Sequence, residues 1–182
     1  NNPTKKVLLL HGGPGITHEY FEACDSYFPG AEIEYYYYDQ LESHYSDKPN
    51  DSSLWNIAHY VEEVEQVRQA LGLDMSNFYL YGNSWGGILG IEYALKYQRH
   101  IKGLIIANMV SSIPHYNAYA NDVLALQLPS EVLTEIKALE AAKDYLNPRY
   151  SELLREHYYT AHILRKPLEE WPDGVNRAFE HI

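Results

Sequence analysis

The sequence predicts an α/β fold in which a parallel sheet with crossover helices occupies residues 1–111 and a helical unit follows over 112–182. Three observations lead there. Short apolar or aromatic runs alternate with segments of helical periodicity up to about Asn108; strand signals then cease; and glycine-rich breaks follow two of the predicted strands.

Val7–Leu10 is a continuous apolar run that breaks into His11-Gly12-Gly13-Pro14-Gly15, the pattern of a buried strand entering a loop. Ile33–Tyr38 reads as a second strand running into Asp39. Its four tyrosines alternate between the two faces of a sheet, so packing explains them without an aromatic binding box. Ile57, Tyr60, Val61, Val64, Val67 and Leu71 recur at three- and four-residue intervals, with Glu62, Glu63 and Glu65 at polar positions, which predicts an amphipathic helix. Phe78–Tyr81 follows as a strand, Gly86–Tyr97 as a helix and Gly103–Ala107 as a strand; this alternation implies parallel pairing. Beyond it, Val132, Leu133, Ile136 and Leu139 form one helical stripe. A second helix is marked by Asn147 as cap and Pro148 at its first position, and its apolar residues run to Ala161.

Composition narrows the function classes. With 182 residues and 46% hydrophobic side chains, one core with an appendage is expected. The 14 basic against 25 acidic residues give a formal charge of -11, which opposes a phosphate backbone and argues against nucleic acid as a partner; the acidic excess is read as a solvated exterior. The apolar runs fall far short of the roughly 20 residues that a membrane-spanning helix needs, and Asn1–Lys6 lacks the pattern of a secretory signal. The single Cys24 allows no intramolecular disulfide and has no CxxC partner, which fits a reduced, cytoplasmic setting. No HExxH or clustered Cys/His spacing indicates a metal, and no cofactor motif is present.

The strongest chemical signal is Gly82-Asn83-Ser84-Trp85-Gly86-Gly87, placed directly between a predicted strand and a predicted helix. This is the context that a G-x-S-x-G nucleophile elbow requires, with a strained serine projecting above the sheet. The loop at 11–15 stands where an α/β-hydrolase supplies one oxyanion N–H, the other coming from the residue after the nucleophile, here Trp85. No Lys-Ser/Thr pair follows that loop, which argues against a nucleotide P-loop.

Together, HGGPG at 11–15, Asp39-Gln40, and GNSWGG at 82–87 resemble the proline iminopeptidase family of α/β-hydrolases, which includes tricorn-associated aminopeptidases. The resemblance runs motif by motif from residue 7 to about 110. Residues 112–182 are similar in placement and helical character to part of that family's cap. The resemblance implies an α/β-hydrolase fold with a helical cap, incomplete at both ends, and a serine aminopeptidase that releases an N-terminal residue, preferentially proline, from small peptides or amino-acid amides. By the same resemblance Ser84 attacks the scissile carbonyl and Gly13 and Trp85 donate to the oxyanion, with Gly12 as the alternative donor. Two departures stand out: Leu41-Glu42 replaces a segment where glycine is common, and Asn83 stands where histidine is frequent.

The rest of a triad is not legible. An acid and then a histidine should follow the serine on loops after strands. Asp122, Asp144, Asp173, His157, His162 and His181 all lie in the helical stretch, and a surface or packing role is expected for each. His11 and His18 precede the nucleophile, and His11 is read as structural. The acid and the base are therefore expected beyond Ile182, and substrate-binding side chains and oligomeric state stay unassigned. Two other readings share these residues: a non-catalytic binding protein on the same scaffold, and an esterase or amino-acid amidase.

Overall fold

Four strands, β1 (Lys5–Leu10), β2 (Ile33–Tyr37), β3 (Phe78–Asn83) and β4 (Gly103–Ala107), pair in parallel in the order β2-β1-β3-β4. The computed structural model describes residues 5–181. The chain steps from β1 to one side to form β2, then crosses back over β1 to β3 and β4 on the other. That reversal puts the C-terminal ends of β1 and β3 side by side, where open α/β sheets bind their ligands.

The crossover from β2 to β3 is α1 (Ile57–Ala70), started by Asn56, whose side chain accepts the His59 N–H at 2.9 Å. The crossover from β3 to β4 is α2 (Trp85–Tyr97). The alternation of β1 divides the core. Leu8 and Leu10 face one side with Leu80, Phe78, Val61, Val64, Leu89 and Tyr93, while Val7 and Leu9 face the other against Phe21. The tyrosines of β2 and the Tyr38 that follows it divide the same way, Tyr36 and Tyr38 joining the first cluster and Tyr35 and Tyr37 the second, as strand periodicity requires. Glu65, expected at a polar helix position, is buried instead. Its carboxylate accepts from Arg68, Gln69 and the Tyr93 hydroxyl, and burial pushes it up less than these hydrogen bonds pull it down, so it stays ionised.

Contacts divide the described chain into two compact units, residues 112–171 and the remainder. In the helical unit, α3 (Ile113–Tyr119) is followed by α4 (Ser130–Ala141) and α5 (Pro148–Leu153). A π-helical turn at Leu154–Tyr159 then leads into α6 (Thr160–His162). Val132, Ile136 and Leu153 form its small core, and Asn147 caps α5 through the Arg149 N–H. The expectation that 112–182 forms one helical unit needs a changed boundary, because α7 (Asp173–Glu180) belongs with the sheet unit. The reason lies in side-chain chemistry: Arg177 forks onto Glu19 and Glu22 of a 3-10 segment, His18–Ser26, and His181 stacks on His44 at 3.7 Å. No helix among the described residues is long and apolar enough to cross a membrane.

The two-sided core predicts a sharp contrast between two leucines. Leu80→Ala, at a position with no exposure, should destabilise by about 2–5 kcal/mol. Leu95→Ala, at 77% exposure on α2, should change stability by less than about 0.5 kcal/mol. Denaturant unfolding of both variants measures this.

Candidate active site

At the end of β3 the backbone turns abruptly into α2, and Ser84 occupies the turn with φ 54° and ψ −120°, a region that costs a non-glycine residue about 1–3 kcal/mol. The residue is exposed, and its own N–H is tied to the Ala107 carbonyl at the end of β4 at 3.0 Å. Glycines make the turn possible. A Cβ on Gly86 would stand 2.1 Å from the Leu10 oxygen, and one on Gly82 would stand 2.2 Å from the Gly86 oxygen, so no side chain fits at either position. Because Gly86 presses on the end of β1, the elbow and the loop at 11–15 are neighbours; a Cβ placed on Gly12 would lie 3.1 Å from Ser84 Cβ.

A buried polar network fastens the two together. The fully buried His11 uses Nδ1 toward the Gly12 carbonyl at 2.9 Å, while its Nε2 accepts the Gln40 N–H at 2.9 Å. Nδ1 therefore carries the proton, and burial lowers the pKa, which keeps the ring neutral. Gln40 donates from Nε2 to the His11 carbonyl at 3.0 Å and accepts the Trp85 indole N–H at 2.9 Å. The structural role expected of His11 is the one its contacts describe.

A second connection was invisible in the sequence. The Gly12 N–H donates to the Tyr20 hydroxyl at 2.8 Å, and that hydroxyl donates to Asn83 Oδ1 at 3.0 Å. Burial pushes the Tyr20 phenol well above its ordinary value, so it stays protonated. Gly13 is exposed, and among the described residues neither its N–H nor that of Trp85 has a hydrogen-bond acceptor. Beside them, Pro14, Leu41, Glu42, Trp55, Tyr60 and Trp85 border a recess of about 270 Å³, in which Glu42 holds φ 69° and accepts the Asn50 N–H.

Six of the other candidates have partners of their own. His18 donates its backbone N–H to Asp39 at 2.8 Å and brings Nδ1 to the same oxygen at 3.0 Å; that hydrogen bond raises its pKa. Asp173 pairs with Arg177, and His181 lies against His44 and Tyr45. Within the helical unit, Asp144 accepts from Asn147, His162 packs on Tyr158, and His157 lies 3.9 Å from Glu156. In the sheet unit, no histidine among the described residues is hydrogen-bonded to the Ser84 hydroxyl.

Fold and elbow together define an α/β-hydrolase, and a model of the alpha/beta hydrolase fold family matches residues 5–171; the chain belongs to that family. A protein of Flavobacterium johnsoniae named proline iminopeptidase is 58% identical over 181 residues, covering 100% of this chain and 60% of the relative. The crystal structure of VinJ superimposes with a TM-score of 0.89 at 30% identity, over 98% of this chain and 59% of that one. That of a proline iminopeptidase from Mycobacterium smegmatis gives 0.81 at 27% identity, over 100% and 59%. The chain thus spans about 60% of the length of the relatives it matches.

One carboxyl group beside the recess titrates in an unusual range. Glu63 on α1 accepts the Leu41 N–H through Oε1 at 3.0 Å, while its Oε2 and the Tyr38 hydroxyl are buried without partners. Burial raises its pKa to about 7. A carboxyl raised in the folded state binds its proton more tightly there, so its effect is to lower stability progressively as pH rises from the ordinary carboxyl range through about 7. Glu63→Gln keeps the acceptor for Leu41 and removes the charge. It should raise the thermal midpoint at pH 8 and leave it unchanged near pH 4.5; an equal shift at both values would contradict the assignment.

Proposed function

We propose that the full-length protein carrying this chain is a serine aminopeptidase of the proline iminopeptidase type, acting on small peptides and amino-acid amides in the cytoplasm. The observation that carries this reading is Ser84 exposed at a strained turn beside two unoccupied N–H groups. The identity to a protein named proline iminopeptidase supports the choice of reaction within the family.

In this reading the Ser84 hydroxyl attacks the carbonyl carbon of the substrate's N-terminal residue, and the Gly13 and Trp85 N–H groups receive the oxyanion. Gly12 is the poorer alternative because its N–H is already given to Tyr20. The Gly12 carbonyl and the Gly13 N–H share one planar peptide and point in opposite directions. By holding that carbonyl, the His11 ring aims the Gly13 N–H away from itself. Trp85 opens α2, whose N-terminal dipole favours the same developing negative charge. The triad acid and histidine belong, in this proposal, to the length of the relatives that residues 1–182 do not span, and the helical unit is part of the cap.

The test is hydrolysis of proline and alanine arylamides by the full-length protein, its Ser84→Ala variant, and residues 1–182 alone. The full-length protein should prefer proline, and Ser84→Ala should abolish turnover. Residues 1–182 should show no more than the residual catalysis that survives triad loss, about 10³ to 10⁴ over water in a serine protease. Full activity of the short chain, abolished by Ser84→Ala, would place a base within it and refute the assignment. Ester hydrolysis without amide hydrolysis would favour an esterase on the same scaffold.

A further inference from the structure

We infer that Tyr20 and Asn83 are positioning residues that set the oxyanion loop against the nucleophile elbow, an inference that rests on the hydrolase reading above. The loop at 11–15 carries three glycines and has little side-chain bulk to hold it. Its Gly12–Gly13 peptide is held through the Gly12 carbonyl by His11, but that contact comes from within the loop. The preceding peptide is held from outside: the Gly12 N–H reaches the Tyr20 hydroxyl at 2.8 Å, and the hydroxyl hands its own proton to Asn83 Oδ1 at 3.0 Å. Asn83 is the residue immediately before Ser84, so one phenol joins the two motifs whose relative position decides where the Gly13 N–H lies.

The relay has three physical consequences. It occupies the Gly12 N–H and leaves the Gly13 N–H free. It demands an acceptor at position 83, which an amide oxygen or a neutral imidazole nitrogen supplies and an aliphatic side chain does not. It also spans a short gap, since a Cβ added at Gly12 would stand 3.1 Å from Ser84 Cβ. The odd residue of the elbow motif, Asn83, thereby has a chemical task that Tyr20 shares.

The experiment uses the full-length protein as wild type, Tyr20→Phe, Asn83→Leu, Asn83→His, and the Tyr20→Phe/Asn83→Leu double variant. Three quantities are read: kcat and KM on proline arylamide, the affinity for a proline-derived boronic acid that mimics the tetrahedral adduct, and the rate at which a fluorophosphonate labels Ser84. Tyr20→Phe should lower kcat by about tenfold to a hundredfold, the range in which small misplacements of reacting groups fall. KM should change little, and boronate affinity should weaken by the same factor as kcat. Asn83→Leu approaches the relay from its other end and should match Tyr20→Phe; the double variant should be no worse than either alone, and Asn83→His should retain most of the rate. Unchanged kcat in both single variants, a loss carried by KM alone, or losses that multiply in the double variant would overturn the relay. Thermal midpoints near that of the wild type separate positioning from unfolding. If the wild type is labelled at Ser84 but does not cleave proline arylamide, the proline assignment fails by itself, and the ranking of labelling rates still decides the relay.

Discussion

The close approach of two backbones at the C-terminal ends of β1 and β3 governs this molecule. At Gly86 the first turn of α2 comes so near the Leu10 carbonyl that even a methyl group would overlap it, and Gly82 is pressed as closely by Gly86. That contact lets α2 leave β3 at the angle that exposes Ser84, and it brings the loop after β1 within one side chain of the serine. The apolar packing of Leu8, Leu10, Leu80 and Leu89 supplies the free energy that holds the strands and α2 in this arrangement. Each of the two motifs would be an ordinary glycine turn without the other beside it.

Contact alone does not orient N–H groups, and here hydrogen bonds take over from packing. Gln40 uses its backbone N–H, its side-chain amide and its side-chain carbonyl in three bonds, to His11 Nε2, the His11 carbonyl and Trp85. Its neighbour Asp39 closes on the backbone and ring of His18. Burial pushes Asp39 up, but the His18 hydrogen bonds outweigh it and hold the carboxyl below its usual range. The chain just after β2 is thus bonded to both sides of the loop that follows β1. Such networks are stiff when every member is satisfied, and leaving one buried partner unpaired costs about 1–3 kcal/mol.

What the sequence disclosed follows the range of the interactions involved. The strands and α1, α2 and α4 were legible because apolar periodicity is a local property, and the division of the β2 tyrosines between two faces came from the same source. The elbow was legible because a steric demand for glycine leaves a mark at fixed spacing around Ser84. Contacts between segments far apart in the chain left no such mark. Nothing local announces that Tyr20 bridges Gly12 to Asn83, that Glu65 is buried beneath Tyr93, or that Arg177 carries α7 onto Glu19 and Glu22. A polar residue at a helical position reads as surface until its partner is seen, and α7 reads as part of the helical unit until Arg177 is seen on Glu19 and Glu22. The departure at Asn83 was visible, but its meaning needed the phenol that meets it.

Strain at Ser84 ties these levels together. A residue at φ 54° persists only where its surroundings determine its conformation, and here the determinants are countable. The Ser84 N–H is held by the Ala107 carbonyl, and its carbonyl accepts from Gly87 and Ile88 in the first turn of α2. The first of these bonds comes from the last residue of β4, an outer strand of the described sheet, whose Ile105 and Ile106 are 44% and 42% exposed. The serine's geometry is therefore fixed by a strand that is less covered than the one carrying it. β4 reaches the elbow through its pairing with β3 and through the Ala107 carbonyl, which accepts the Ser84 N–H at 3.0 Å and the Asn83 side-chain amide at 3.5 Å, so the order of that edge and the geometry of the nucleophile are coupled.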